Sequence, residues 1–194
     1  VYNGELYNYK ELRQVLQGVG VPFYTECDTE IVLKSLMTWG KEALPRFNGM
    51  WAFAWFDIKT NELILSRDRF GEKPLYMWKT NEGIFFASEI KALKKIVGLN
   101  PTINLNHMQR FLVNGYKSLH KYKETFFNEI FELSKGKYAK IDYSLKINEK
   151  SYWKPKFNED KNLTFDDCKN LVRETLIKAV QKQLQSDVPL AFCM

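Results

Sequence analysis

The chain opens with the stretch Val1-Tyr2-Asn3-Gly4-Glu5-Leu6-Tyr7-Asn8, on which the interpretation of the remaining sequence depends. Val1 and Tyr2 favour a strand, and Asn3-Gly4 predicts a turn because both residues tolerate positive φ. Such a turn presents an amide side chain, an unhindered backbone N–H and the Glu5 carboxylate at one point. That set can polarise a carbonyl group and hold a cation. The residues alone also leave open an ordinary turn with an exposed glutamate.

The composition is typical of a globular protein. Of the 194 residues, 45% are hydrophobic and 27% are charged, which is enough for one core or for one core and the start of a second. The apolar run Met50–Phe56 is too short to span a membrane, and no signal-peptide pattern is visible. The net charge is +6, but the lysines alternate with acidic residues, which favours a solvated surface over a nucleic-acid face.

The cysteines and histidines do not predict a metal site. The three cysteines, Cys27, Cys168 and Cys193, show neither metal-ligand spacing nor a CxxC pattern. Their odd number in a chain of this length predicts reduced thiols and a cytoplasmic location. His107 and His120 are too far apart in sequence to suggest zinc.

Alternation and turn residues predict antiparallel strands in the middle of the chain. Met50–Phe56 is apolar on both faces, which is typical of a strand covered on both sides. The pattern predicts further strands at Phe23-Tyr24, Leu63–Ser66, Leu75–Trp78, Ile84–Ala87 and Lys137–Ile141. It predicts helices at Tyr9–Gln17, from Thr25–Asp28 to Trp39, at Glu89–Val97 with Ser88 as its cap, and at Asn106–Asn114.

Two polar features have a structural and a functional interpretation. Thr25 and Asp28 stand at capping-box spacing, so Asp28 either stabilises a helix N-terminus, by about 0.5–1 kcal/mol, or binds a substrate ammonium group. The residues alone leave both roles open. The charged loop Arg67–Pro74 lacks the glycines and the following Lys-Ser/Thr of a phosphate-binding loop. It therefore favours a structural loop held by ion pairs.

The last part of the chain has a different pattern. The polar stretch Asn158–Asn162 predicts a domain boundary, with one domain at residues 1–157 and the start of another at residues 163–194. Thr164–Gln185 predicts a helix with an apolar stripe and a capping pair, Thr164 and Asp167. Val188–Met194 then predicts a buried strand. A helix followed by a buried strand is typical of an α/β domain.

Ordered blocks of this sequence resemble the glutamine-hydrolysing asparagine synthetases, a branch of the class II glutamine amidotransferases. Residues 3–8 match the signature Asn-Gly-Glu-Ile-Tyr-Asn, with Leu6 in place of Ile. The other matching blocks follow in the same order: residues 27–30, 47–54, 67–71, 74–76, 88–93 and 186–189. The resemblance covers nearly the whole chain and is weakest between about residues 95 and 160.

The resemblance implies a fold and a pair of coupled reactions. The fold is α+β, a four-layer αββα sandwich of the N-terminal-nucleophile hydrolase type that lacks its N-terminal segment. The first helix and strand of an α/β ATP-pyrophosphatase-type synthetase domain follow. The reactions are hydrolysis of L-glutamine to glutamate and ammonia, and amidation of L-aspartate with ATP and Mg²⁺. The resemblance allows a homodimer.

The resemblance also implies roles for individual residues. The Asn3 side chain and the Gly4 backbone N–H are the catalytic oxyanion donors. Glu5 and Asp28 bind the ammonium group of glutamine, so all four residues belong to the glutamine site. Met194 aligns with the residue before the loop that binds the ATP pyrophosphate, and implies a backbone contact with ATP.

The catalytic cysteine of the family, and an arginine that grips the α-carboxylate, are expected upstream of Val1. Cys27 and Cys168 lie in helical contexts and do not substitute for that cysteine. We therefore expect an internal fragment of a larger protein, without glutaminase activity of its own. Two alternatives stay open: a sister amidotransferase that amidates a sugar or peptide carboxylate, and a non-catalytic glutamine-binding domain.

Overall fold

A computed structural model describes residues 1–118, 122–184 and 191. The chain divides into two compact units. The first consists of residues 1–5 and 50–154, and the second of residues 6–49 with the described residues from 155 onward. The domain boundary expected at residues 158–162 stays a prediction.

The regular elements account for most of the described chain. The strands are β1 (Tyr2–Leu6), β2 (Gly49–Asp57), β3 (Glu62–Arg67), β4 (Tyr76–Lys79), β5 (Ile84–Ala87), β6 (Ile130–Glu132), β7 (Lys137–Ile141) and β8 (Ile147–Ser151). The α-helices are α1 (Tyr9–Gly18), α2 (Asp28–Trp39), α3 (Ile90–Val97), α4 (Leu105–Asn114) and α5 (Phe165–Gln183). Short 3₁₀ helices lie at Gly40–Arg46 and Gly115–Ser118.

Two sheets form the core of the first unit. One has the strand order β1-β2-β3-β7-β8 and the other the order β5-β4-β6. From β2 to β8 the larger sheet is antiparallel, and so is the smaller one. Alternation along β4 shows how the layers stack. Met77 packs with Ala52 and Leu65 of the larger sheet, whereas Trp78 points the other way and packs against Leu93 of α3. A helix, a sheet and a second sheet therefore lie in successive layers, as predicted for this part of the sandwich.

The second unit contains a pair of helices. α1 and α2 pack against each other, and α1 buries Leu12 and Leu16. Val15, in the same helix, is 49% exposed. α2 buries Ile31, Val32, Ser35 and Leu36 and ends at Gly40, whose positive φ of 56° suits glycine.

α5 begins with the predicted capping box. The Thr164 hydroxyl accepts from the Asp167 backbone N–H, and the Asp167 carboxylate accepts from the Thr164 backbone N–H. The predicted apolar stripe of this helix is exposed in the structure. The strand predicted at Val188–Met194 lies outside the described residues, except for position 191.

Most predicted elements are confirmed within one or two residues, and the exceptions are short. The strand predicted at Phe23-Tyr24 is wrong, because both residues lie in irregular backbone before α2. β6 and β8 were not predicted. β6 has only three residues, and β8 has the mainly polar sequence Ile-Asn-Glu-Lys-Ser, so neither carries an apolar alternation.

Candidate functional site

Asn3 and Gly4 lie inside β1, and the turn predicted there is wrong. The backbone of β2 explains the glycine. A Cβ atom on Gly4 would lie 2.3 Å from the Met50 carbonyl oxygen and 2.7 Å from the Trp51 Cα atom. Gly4 is therefore required by the close approach of a neighbouring strand, and not by a positive φ.

The Asn3 side chain is exposed on a strand at the edge of the sheet, and Ser88 holds its amide group. Asn3 Nδ2 donates a hydrogen bond to Ser88 Oγ over 3.0 Å. We predicted Ser88 as the cap of α3, which is wrong: Glu89 occupies the N-cap position. Because side chains alternate along a strand, Glu5 lies on the same face of β1 as Asn3.

Trp51, against which Gly4 packs, is fixed by several contacts. Its side chain is buried, its backbone N–H donates to Asp68, and its indole N–H donates to Ser66 Oγ over 3.2 Å. Its ring stacks on Tyr152 at a centroid distance of 6.1 Å. The Tyr152 hydroxyl donates to the Arg67 carbonyl oxygen over 2.8 Å. Burial and then the nearby charge of Asp68 raise the pKa of Tyr152, which keeps this hydrogen-bond donor protonated.

The loop after β3 is organised by two buried charges. Asp68 is fully buried and accepts five backbone N–H groups, those of Trp51, Phe70, Gly71, Glu72 and Lys73. The buried Arg67 pairs with Glu132 over 2.9 Å and donates to the carbonyl oxygens of Gly71, Lys73 and Leu133. These contacts agree with the predicted structural loop held by an ion pair.

Asp28 is the first residue of α2, and Cys27 is its N-cap. The capping box predicted between Thr25 and Asp28 is wrong. Thr25 instead donates to the Glu30 carboxylate through its hydroxyl and its backbone N–H, each over 2.7 Å. The Thr25 hydroxyl is the main cause that lowers the pKa of Glu30.

Asp28 is hydrogen-bonded to Leu6, the residue that follows Glu5 in the chain. Its Oδ2 atom accepts from the Leu6 backbone N–H over 2.9 Å, and its carboxylate is partly exposed. A carboxylate has lone pairs for several donors, so it can hold the Leu6 amide and accept from an ammonium group at the same time. A carboxylate in the first turn of a helix also interacts favourably with the positive end of the helix dipole.

The remaining predicted residues are placed as follows. Cys27 and Cys168 are exposed, at the start of α2 and within α5. Met194 lies outside the described residues, so its proposed contact with ATP is not located. Among the residues that the structure describes, no group of three His, Cys, Asp or Glu side chains is arranged to hold a metal ion. None of the described helices is long and apolar enough to cross a membrane.

Comparison with known proteins identifies relatives of the whole chain. A Methanocaldococcus jannaschii protein named putative asparagine synthetase [glutamine-hydrolyzing] 2 is 36% identical over 200 residues. The Bacillus subtilis protein named asparagine synthetase [glutamine-hydrolyzing] 3 is 33% identical over 190 residues. Each match covers 98% of this chain, but the chain spans only 36% and 30% of the lengths of these relatives.

The fold and the family are shared with glutamine amidotransferases. A solved structure of glutamine phosphoribosylpyrophosphate amidotransferase from B. subtilis, complexed with ADP and GMP, matches 79% of this chain and 28% of its own, with a TM-score of 0.55 and 20% identity. That likeness shows a common fold of the N-terminal-nucleophile type. The ATP-pyrophosphatase-type element stays a prediction. A family model described as a glutamine amidotransferase domain matches residues 1–153. This chain therefore belongs to the glutamine amidotransferase domain family.

Proposed function

We propose that this chain is the glutamine-binding part of a glutamine-hydrolysing asparagine synthetase. The observation that carries the proposal is the Asn3-Gly4 segment of β1. It combines an exposed side-chain amide, held by Ser88, with a glycine whose backbone is fixed against Met50 and Trp51. We assign these donors to glutamine hydrolysis because the relatives are named glutamine-hydrolysing asparagine synthetases.

The first step of the proposed reaction needs stabilisation of negative charge on oxygen. A cysteine thiol, the nucleophile that the family resemblance implies, bonds through sulfur to the side-chain amide carbon of glutamine. The carbonyl oxygen becomes an oxyanion, which accepts from Asn3 Nδ2 and from the Gly4 backbone N–H. The thiol proton passes to the leaving nitrogen and ammonia departs, leaving a thioester that water hydrolyses to glutamate. Loss of one such donor typically raises the barrier by about 2.7–4 kcal/mol.

Binding of glutamine itself needs a partner for the α-ammonium group. We assign that role to the carboxylates of Asp28 and Glu5. Asp28 is held in place by the Leu6 N–H at the start of α2. Its interaction with the substrate ammonium is the same in the ground state and in the transition state. It therefore acts on KM rather than on kcat.

The second reaction is a proposal for the whole protein. Ammonia from glutamine would amidate the carboxylate of aspartate, with ATP and Mg²⁺ bound by a synthetase domain that begins at residues 163–194. Met194, the residue proposed to approach ATP, lies outside the described part of the chain. The same proposal places the protein in the cytoplasm and allows a homodimer.

Steady-state kinetics of the gene product that contains this chain tests the proposal. Asn3→Ala should lower kcat for glutamine hydrolysis by about 10²–10³ with little change in KM, because the oxyanion exists only in the transition state. Asp28→Asn should chiefly raise KM for glutamine. Synthesis of asparagine from aspartate, ATP and added ammonia should be unchanged in both variants, since added ammonia bypasses this site.

Two matched variants serve as controls. Asn81→Ala removes the same side chain from an exposed turn, and Asp166→Asn removes the same charge from the first turn of α5. Both should leave glutamine hydrolysis unchanged. Unchanged kcat in Asn3→Ala would exclude the oxyanion role. If Asp28→Asn changes the melting temperature but not KM for glutamine, Asp28 has only a structural role.

A second candidate differs only in the acceptor carboxylate. A Gibberella zeae protein named amidase chry2 is 29% identical over 98% of this chain, so the same domain occurs in proteins with other names. Ammonia-driven amidation of another carboxylate, with none of aspartate, would support this sister activity.

A further inference from the structure

Asn3, the proposed oxyanion donor, depends on a single described hydrogen bond for its orientation. The side chain is exposed on the edge strand β1. Its Nδ2 atom donates one N–H to Ser88 Oγ over 3.0 Å. An amide nitrogen carries two N–H groups, so the second remains for a ligand. An exposed asparagine without such a contact rotates about its terminal torsion, and its carbonyl oxygen then faces the ligand as often as its nitrogen does.

Ser88 lies between two elements that are packed in the core. It follows Ala87, which pairs with Tyr76 in the smaller sheet, and it precedes α3, whose Leu93 is fully buried against Trp78. The backbone of Ser88 is therefore held by a paired strand on one side and by a packed helix on the other. Its hydroxyl oxygen accepts from Asn3 at this junction.

We propose that Ser88 is a positioning residue for glutamine hydrolysis: it fixes the Asn3 amide with its free N–H directed at the developing oxyanion. This inference rests on the proposed oxyanion role of Asn3. Orientation before the reaction is what makes such a donor effective, because no reorganisation is then needed as charge develops.

A double-mutant cycle in the gene product that contains this chain tests the proposal. Ser88→Ala should lower kcat for glutamine hydrolysis by about 3- to 10-fold, the value of one ordinary hydrogen bond, and leave KM unchanged. Ser88→Thr keeps the hydroxyl and should restore kcat. In the Asn3→Ala background, Ser88→Ala should have no further effect, because the group that it orients is gone. Ser144→Ala removes an exposed hydroxyl bonded to Asp142 and is the matched control.

A spectroscopic measurement on the 194-residue chain reports the orientation directly. The two Nδ2 protons of Asn3 should have well-separated ¹H shifts in the native chain and in Ser88→Thr. In Ser88→Ala the separation should collapse toward that of a free amide, with the other amide signals unchanged.

The outcomes separate this inference from the proposed function. If Asn3→Ala leaves kcat unchanged, the oxyanion role fails and the role of Ser88 fails with it. If Asn3→Ala lowers kcat but Ser88→Ala does not, only the role of Ser88 is overturned. The role of Ser88 is also overturned if the two reductions in kcat multiply in the double variant. Independent effects of Asn3→Ala and Ser88→Ala would mean that Ser88 acts on something other than Asn3.

Discussion

Replacement of Asp68 by asparagine should strongly destabilise the first unit. The native carboxylate is fully buried, and each of its oxygens accepts backbone N–H groups. Oδ1 accepts from Phe70, Gly71 and Glu72, whereas Oδ2 accepts from Trp51 and Lys73. An amide of the same shape has only one oxygen. In its best orientation, its NH₂ group therefore faces the N–H groups of Trp51 and Lys73.

The magnitude follows from the two N–H groups that lose their acceptor. A buried donor without a partner costs about 1–3 kcal/mol, so the two together cost about 2–6 kcal/mol. The three bonds that survive lose their charge assistance, which adds to this loss. We expect the free energy of unfolding to fall by about 4 kcal/mol. For a chain of this size that corresponds to a drop of about 8–16 °C in melting temperature.

Calorimetry and urea titration of Asp68→Asn and of a matched control measure the effect. Asp57 accepts one N–H, that of Lys59, in the hairpin between β2 and β3. Asp57→Asn keeps that acceptor and should change the free energy of unfolding by no more than about 0.5 kcal/mol. A loss below about 1 kcal/mol in Asp68→Asn would refute the reasoning. It would mean that water or a loop rearrangement satisfies the N–H groups that the carboxylate now holds.

Two further predictions concern Gly4 and Tyr152, which both pack against Trp51. Gly4→Ala should lower the free energy of unfolding by about 1–3 kcal/mol, because the added Cβ meets backbone atoms of β2 that cannot rotate away. Gly18→Ala is the control, since a Cβ on this last residue of α1 meets no atom within 4 Å. It should be neutral or slightly stabilising in the same melting assay. Burial raises the pKa of Tyr152 above its ordinary value of 10.0, so the folded state holds the phenolic proton more tightly than the unfolded state. Stability should therefore fall as the pH rises through about 10, and melting curves from about pH 9 to pH 11 should show a smaller fall in Tyr152→Phe. An equal fall in both proteins would assign the loss to other groups.

Sequence patterns correctly predicted the elements that are determined by neighbouring residues. The continuous apolar run of β2, the turn residues before β3 and the capping pair Thr164 and Asp167 all act within a few residues of one another. The structure reproduces them for that reason. The same rules failed where the partner is distant in sequence, because a propensity contains no information about such a partner.

Ser88 illustrates that failure with a distant partner, and Thr25 shows that even a near partner can differ from the predicted one. Ser88 lies just before a helix, where a hydroxyl group commonly caps the helix N-terminus, but its oxygen accepts from Asn3 in β1. Thr25 has Asp28 at capping distance in sequence, but it donates to Glu30. In both cases the residue type correctly indicated a hydrogen-bonding role, and only the three-dimensional structure identified the partner. The family resemblance marked residues 88–93, which include Ser88, and residues 27–30, which include Glu30, without giving the contacts.

The strand conformation at Gly4 changes how the proposed chemistry is supported. Donors in a turn are oriented by their own dihedral angles, which a local change can alter. Donors in β1 are instead fixed by β2, and β2 is held at Trp51 by the buried Asp68 carboxylate. The orientation of the Gly4 N–H is therefore established by folding, before any substrate binds. A donor placed in this way needs no reorganisation when the oxyanion forms, which is the condition under which such donors accelerate a reaction most. The stability of the loop after β3 and the rate of the proposed hydrolysis should accordingly decline together.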